Sequence, residues 1–198
     1  MVLKLFFALF PDPATAAVIA RRIKSTCAKY GFSGHPITVD RLHVTLHHIG
    51  DYEDQLPVDL VDSLERVAAT LAAAPFDVTF DQALSFAGHA GNPRKKHPYV
   101  ITARDQPQLR AFHGVLGDAI SAGMPNAKAS RSFTPHLTLV WDEKIIPEHP
   151  VRPIRWTARE FALVKSFVGR SRYEILNRWA LDASATASPP TIQQHSFL

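Results

Sequence analysis

Apolar and polar residues change rhythm repeatedly along this chain, and each change marks an element. Leu3 to Phe10 is almost continuously apolar, rich in Leu and Phe, and predicts a buried strand. The period then lengthens. Ala16, Ile19, Ile23, Cys27 and Tyr30 recur at spacings of three and four, the stripe of an amphipathic helix. Asp12 is placed to cap it, Pro13 to occupy its first position and Gly31 to stop it. A polar loop through Gly34, His35 and Pro36 leads to a strand at about 41–49, ended by Gly50-Asp51. Pro57 opens a second helix with the stripe Leu60, Leu64, Val67 and Leu71, and Pro75 closes it. Phe76, Val78 and Phe80 alternate with polar residues, so a strand runs to about Phe86. Tyr99 to Ala103 is another. Asp105 and Pro107 begin a third helix, with Leu109, Phe112, Leu116 and Ile120 facing the core. A strand follows over about 133–141, then a proline-rich connection from Pro147 to Pro153. Two last strands, about 156–167 and 172–181, meet near Gly169. The alternation of helices with antiparallel hairpins predicts an α+β fold. Its layout repeats loosely, giving two similar lobes of antiparallel sheet plus helices around a central cleft. Residues 1–182 form this single bilobal domain and 183–198 a tail that is ordered only if it packs on the body.

Two of the strands share a signature. Leu42-His43-Val44-Thr45-Leu46 and Pro135-His136-Leu137-Thr138-Leu139 both place His and Thr at i and i+2 between apolar residues. Side chains alternate along a strand, so each His and its Thr share one face and the apolar residues take the other. The chance expectation for the full pattern is roughly 0.02 occurrences in a chain of this composition, counting template matches. One match in each half therefore argues for a paired function. By the same alternation His47 shares a face with His43 and Thr45, as a supporting donor or a surface residue, and His48 takes the opposite face at the edge of the core.

Composition narrows the chemistry. With 46% apolar and 20% charged residues the chain reads as a soluble globular protein, and a net charge of +4 with a pI near 9.4 favours anionic partners. The single cysteine, Cys27, allows no intramolecular disulfide and no cysteine metal cluster; it reads as a small buried apolar residue in a reducing compartment, hence a cytoplasmic protein. The short opening run, with Lys4 inside it and a helix start directly after, does not read as a secretory signal. No stretch approaches the roughly 20 apolar residues of a membrane span. The densest positive charge lies in the Gly- and Pro-rich loop from Gly88 to Pro98, where Arg94, Lys95 and Lys96 offer contacts to backbone phosphates or form a solvated hairpin tip.

Two histidines flanking a substrate can divide acid and base work near neutral pH, and threonine hydroxyls beside them can donate to an oxyanion. Neither a Gly-x-Ser-x-Gly elbow nor a His-Glu-x-x-His pair is present, and no acidic cluster adjoins either histidine. The arrangement suits hydrolysis of a phosphodiester with no metal and no cofactor.

At these residues the chain resembles the two-histidine (2H) phosphoesterases, and within them the RNA 2′,3′-cyclic phosphodiesterase branch, often labelled 2′-5′ RNA ligase. The likeness covers about residues 3–182. It rests on both His-x-Thr-x motifs, on Leu5-Phe6-Phe7-Ala8-Leu9, on Phe133-Thr134-Pro135, and on Ser166-Phe167-Val168-Gly169 with Tyr173-Glu174-Ile175-Leu176. The resemblance implies a bilobal α+β fold with the motifs facing across a cleft. It implies His43 and His136 as the catalytic pair, with Thr45 and Thr138 holding the phosphate oxygens. One histidine would activate water and the other protonate the departing O3′, leaving a 2′-phosphate; the sequence does not assign which. RNA ends or cyclic nucleotides would be the partners of a monomer. Ligation to a 2′-5′ bond would use the same residues, and a nucleotide-binding module without turnover is the reading from another class. One departure stands out. Many members of the branch carry an arginine where this chain has Trp141, so the charge must come from elsewhere. Arg131, Lys95, Lys96 and Arg172 are the candidates, and Trp141 is either core or a stacking platform for a base.

Overall fold

The computed structural model describes residues 1–87, 96–124 and 129–182. The tail at 183–198 and the loop cations Arg94 and Lys95 lie outside the described residues; Lys96 is exposed ahead of the strand that follows it. In chain order the elements are β1 (Val2–Leu9), α1 (Pro13–Tyr30), a single 3₁₀ turn (Val39–Arg41), β2 (Val44–Glu53), α2 (Val58–Ala69), β3 (Phe76–Ser85), β4 (His97–Thr102), α3 (Pro107–Gly123), β5 (His136–Asp142), β6 (His149–Ala158), β7 (Glu160–Phe167) and β8 (Arg172–Ala180).

The helix signals act as their chemistry requires. The Asp12 carboxylate accepts from the Thr15 N–H at 2.9 Å and from its hydroxyl at 2.7 Å, which satisfies an otherwise unpaired donor of the first turn. Gly31 closes α1 at φ 61°, where any side chain would be strained. On α3 the four residues Leu109, Phe112, Leu116 and Ile120 are all buried. α1 is stopped where expected, whereas α2 ends at Ala69, before Pro75.

Two four-stranded antiparallel sheets carry the α+β fold, in the orders β2-β1-β7-β8 and β5-β4-β3-β6. The lobes are therefore not contiguous halves. The stretch read as one strand over 156–167 is two: β6 completes the second sheet, the chain crosses at Arg159, and β7 returns to the first. The proline-rich connection is itself strand from His149 onward. Pro150 and Pro153 are tolerated there because β6 pairs on one side only. β2 also runs past Gly50-Asp51 to Glu53 and turns at Asp54, whose φ is 59°.

One large apolar cluster fills the body beneath the helices, and Cys27 packs half-buried against it. A second, small cluster of Phe6, Ala8, Ala162 and Val164, edged by Phe10, Tyr173 and Ile175, lies on the other face of the first sheet. It forms the floor of the cleft on that side.

Both motif strands, β2 and β5, are sheet edges, and they approach within 8 Å at their Cα atoms. The segment leading into the first motif ties them together. Ile37 donates its N–H to the Leu139 carbonyl at 2.8 Å, extending the free edge of β5. Asp142, buried at the end of β5, accepts from the Ser33 and Gly34 N–H groups at 2.7 and 2.8 Å. Gly34 permits this approach, since a Cβ there would fall 2.0 Å from the Trp141 carbonyl oxygen.

Candidate active site

His43 stands just ahead of β2 and His136 is the first residue of β5. Their rings are held by the same device. Each Nδ1 lies against the carbonyl oxygen two residues earlier, Arg41 at 2.8 Å and Thr134 at 2.7 Å. A carbonyl only accepts, so each Nδ1 carries a hydrogen and each neutral ring leaves Nε2 as its free nitrogen. The surroundings differ. The His43 ring packs among Phe6 at 5.1 Å, Tyr173 at 5.3 Å and Phe10 at 6.2 Å, whereas His136 meets Phe86 edge-on at 5.0 Å.

These surroundings set the charge. Burial pushes the His43 pKa down to about 4, against a raising effect of the Arg41 carbonyl, and the charges of His136 and Arg41 add to the lowering. His136 is also lowered by burial, opposed by its bond to Thr134. The two imidazoles are thus near enough to sense each other. Thr45 and Thr138 are half-buried, and neither hydroxyl bonds another described residue, which leaves both as donors.

Beyond each threonine the strand carries an extra residue. Pairing steps from Ala8–Thr45 to Phe7–His47, and from Val100–Thr138 to Tyr99–Val140, so Leu46 and Leu139 are bulge residues at equivalent places. A bulge inverts the alternation that follows it. His47 accordingly leaves the face of Thr45. It is 3% exposed, donates from Nε2 to the His113 carbonyl at 2.8 Å and stacks on the His113 ring at 3.9 Å. His48 turns outward instead, exposed, 2.9 Å from Asp51. The expected placements of this pair are exchanged, for that reason. The same inversion puts Trp141 on the parity of Thr138; it is 42% exposed and not core.

On the opposite face of β2 the rings of His47, His113 and Phe133 form a continuous stack beside a cavity of about 250 Å³. Arg131 lines that cavity. Arg172 lies over the Phe167 ring, 5.0 Å from its centroid. A larger hollow of about 880 Å³ opens next to His43, between Phe10, Leu42, Tyr173, Ile175 and Arg178. Among the described residues no three His, Cys, Asp or Glu side chains gather in a way that could hold a metal ion, and no helix is long and apolar enough to cross a membrane. The sequence reading missed Arg41. Its position two residues before His43, at the end of the 3₁₀ turn that leads into the motif, was a usable signal.

Two histidine-threonine strands, matched down to their bulges, meet across the lobes, and the sequence model of the 2′-5′ RNA ligase superfamily matches residues 10–169, which include both. The chain belongs to this superfamily. An RNA 2′,3′-cyclic phosphodiesterase of Escherichia coli (strain K12) is 27% identical over 155 residues, spanning 75% of this chain and 81% of that protein. The crystal structure of E. coli LigT in apo form superposes with a TM-score of 0.70 at 24% identity, covering 91% of this chain and 98% of that one. LigT complexed with 3′-AMP gives 0.66 at 25% identity, with the same coverage. The superfamily assignment and the bilobal α+β architecture agree with what the motifs imply.

Proposed function

We propose that this protein hydrolyses 2′,3′-cyclic phosphate ends of RNA or nucleotides to 2′-phosphomonoesters. The observation that carries this reading is the matched pair of imidazoles, each locked with Nδ1–H on its own backbone and Nε2 free, with a threonine donor two residues on. The named activity of the E. coli relative supports it.

The chemistry divides by environment. His43, lowered to about 4 in its aromatic nest, stays neutral and takes a proton from water at Nε2. The water oxygen bonds to phosphorus as the P–O3′ bond breaks. His136, whose lowering by burial is opposed by its bond to the Thr134 carbonyl, acts in its protonated form and delivers its Nε2 proton to O3′. The net result is one water added, one P–O bond exchanged and a 2′-phosphate left. The Thr45 and Thr138 hydroxyls donate to the non-bridging oxygens, whose charge grows as water adds. Trp141, exposed on the parity of Thr138, offers a stacking face to a base. Within this reading the protein acts as a cytoplasmic monomer and uses no metal.

The test is incubation with 2′,3′-cyclic AMP, with and without EDTA. Accumulation of 2′-AMP, unaffected by chelation, is the expected result. Formation of 3′-AMP, or activity lost in EDTA and restored by a divalent ion, would overturn the assignment of leaving group or of metal independence.

A further inference from the structure

A neutral His43, two hydroxyls and a His136 that gives its proton away to O3′ bring no fixed positive charge to a reacting phosphodiester. That substrate is an anion and gains more charge on oxygen as water adds to phosphorus, which is where a preorganised cation contributes most. On the cleft side of the first sheet, Lys4 is paired with Asp51 at 3.4 Å and Arg178 with Glu160. Arg41 is different. Its guanidinium lies over the Tyr173 ring, 4.8 Å from the centroid, and that same ring stands edge-on to His43 at 5.3 Å and 80°. It forms no ion pair with a carboxylate among the described residues, and its Nε is buried without a hydrogen-bond partner. Its charge reaches the site, being among the causes that hold the His43 imidazole down. It also partly offsets the burial that pushes the Tyr173 phenol up, while Asp40 opposes it. Tyr173 is thus a shelf that fixes a forked, uncompensated cation beside the first histidine.

We propose that Arg41 is the phosphate-binding cation of this site, its guanidinium holding the non-bridging oxygens of the reacting phosphate on the His43 side. The inference rests on the cyclic phosphodiesterase reading above. It makes a prediction that a packing arginine would not. The charge must act on the reacting phosphate itself, so a mononucleotide suffices to reveal it.

The experiment compares wild type, Arg41→Lys and Arg41→Gln on 2′,3′-cyclic AMP and on a dinucleotide ending in a 2′,3′-cyclic phosphate. Inorganic phosphate binding is measured separately by calorimetry. Arg41→Gln is expected to lower kcat/KM on both substrates by about 10²–10³-fold, the scale of one lost transition-state donor. It should weaken phosphate binding, and it should move the acid limb of the pH profile upward, because one charge depressing His43 is gone. Arg41→Lys should recover at least part of the loss. If Arg41→Gln does not fold, Arg41→Met, which keeps a long stem against Tyr173, takes its place. The idea fails if the neutral variant stays within about threefold of wild type on cyclic AMP, the measure of a donor that does not act. It fails equally if the loss is confined to the dinucleotide, if phosphate binding is unchanged, or if wild type binds no phosphate. A wild-type protein that binds phosphate through Arg41 yet turns over no 2′,3′-cyclic phosphate would instead sink the underlying activity and leave the cation assigned.

Discussion

The two motif regions share a backbone and differ in everything packed around it. Both hold Nδ1 on a carbonyl two residues earlier, and both bulge at the leucine after threonine. The first is enclosed by Phe6, Phe10 and Tyr173 with Arg41 alongside, and is backed through its bulge by the His47–His113–Phe133 stack. The second meets Phe86 and ends on the exposed Trp141. Repetition supplies two equivalent nitrogens; packing makes them unequal. In the proposed mechanism that inequality is what assigns one histidine as base and the other as acid.

The largest effect expected from breaking the pair is at the histidines. His43→Ala and His136→Ala should each lower kcat/KM by about 10²–10⁴-fold, and the double variant by far less than the product, because the two act as a unit. A substrate whose leaving group needs no proton sharpens the contrast: His136→Ala should recover on it and His43→Ala should not. Recovery of the wrong variant would reverse the roles. In wild type, kcat/KM should be bell-shaped with both limbs below 6.5, since both pKa values are lowered and that of His43 to about 4. Thr45→Val and Thr138→Val come next, each costing roughly 10–10³-fold in kcat, at or below one oxyanion donor. Trp141→Ala should raise KM for a cyclic nucleotide by roughly fivefold, the low end of base stacking, with kcat little changed. An unaltered KM would remove the stacking role.

The least effect on turnover concerns the back of the first motif. Burial lowers His47 and holds His113 down to about 4, with His47's charge next among the causes for His113. Both are neutral when folded and free to protonate when unfolded. Their contribution to stability is therefore full above about 6.5 and lost as pH falls towards 4. Chemical denaturation at a series of pH values should show this slope, and His113→Phe, which keeps a ring against Phe133, should flatten it. An equally steep slope in the variant would place the titration elsewhere.

How much of this the sequence disclosed follows from the range of the forces involved. Caps, stops and stripes are local, so Asp12, Gly31 and the α3 core positions were readable from neighbouring residues. So was the motif, since its four residues carry their own spacing. The bulges were not. Nothing in Leu46 or Leu139 announces an extra residue, which arises from how β2 and β5 must curve against their partners, and one such residue exchanged His47 with His48 and brought Trp141 to the surface. The nest around His43 was hidden for a different reason. Phe6 comes from β1 and Tyr173 from β8, brought together only by the sheet order. Arg41 was near enough to notice, but its meaning depends on the ring beneath it.

The crossing at Arg159 bears on how the molecule is made. β1 lies between β2 and β7, and the Tyr173 shelf sits on β8, so the sheet carrying the first histidine is closed by strands that follow both motifs in the chain. A nascent chain can pair β1 with β2 and fold its helices early, yet it cannot finish the His43 nest until about residue 180 has been synthesised. A fragment stopped at β6 would hold both histidines and both threonines and still lack the part of the cleft floor that β7 and β8 supply. Truncation from the C-terminal side should therefore abolish activity well before it reaches any motif residue.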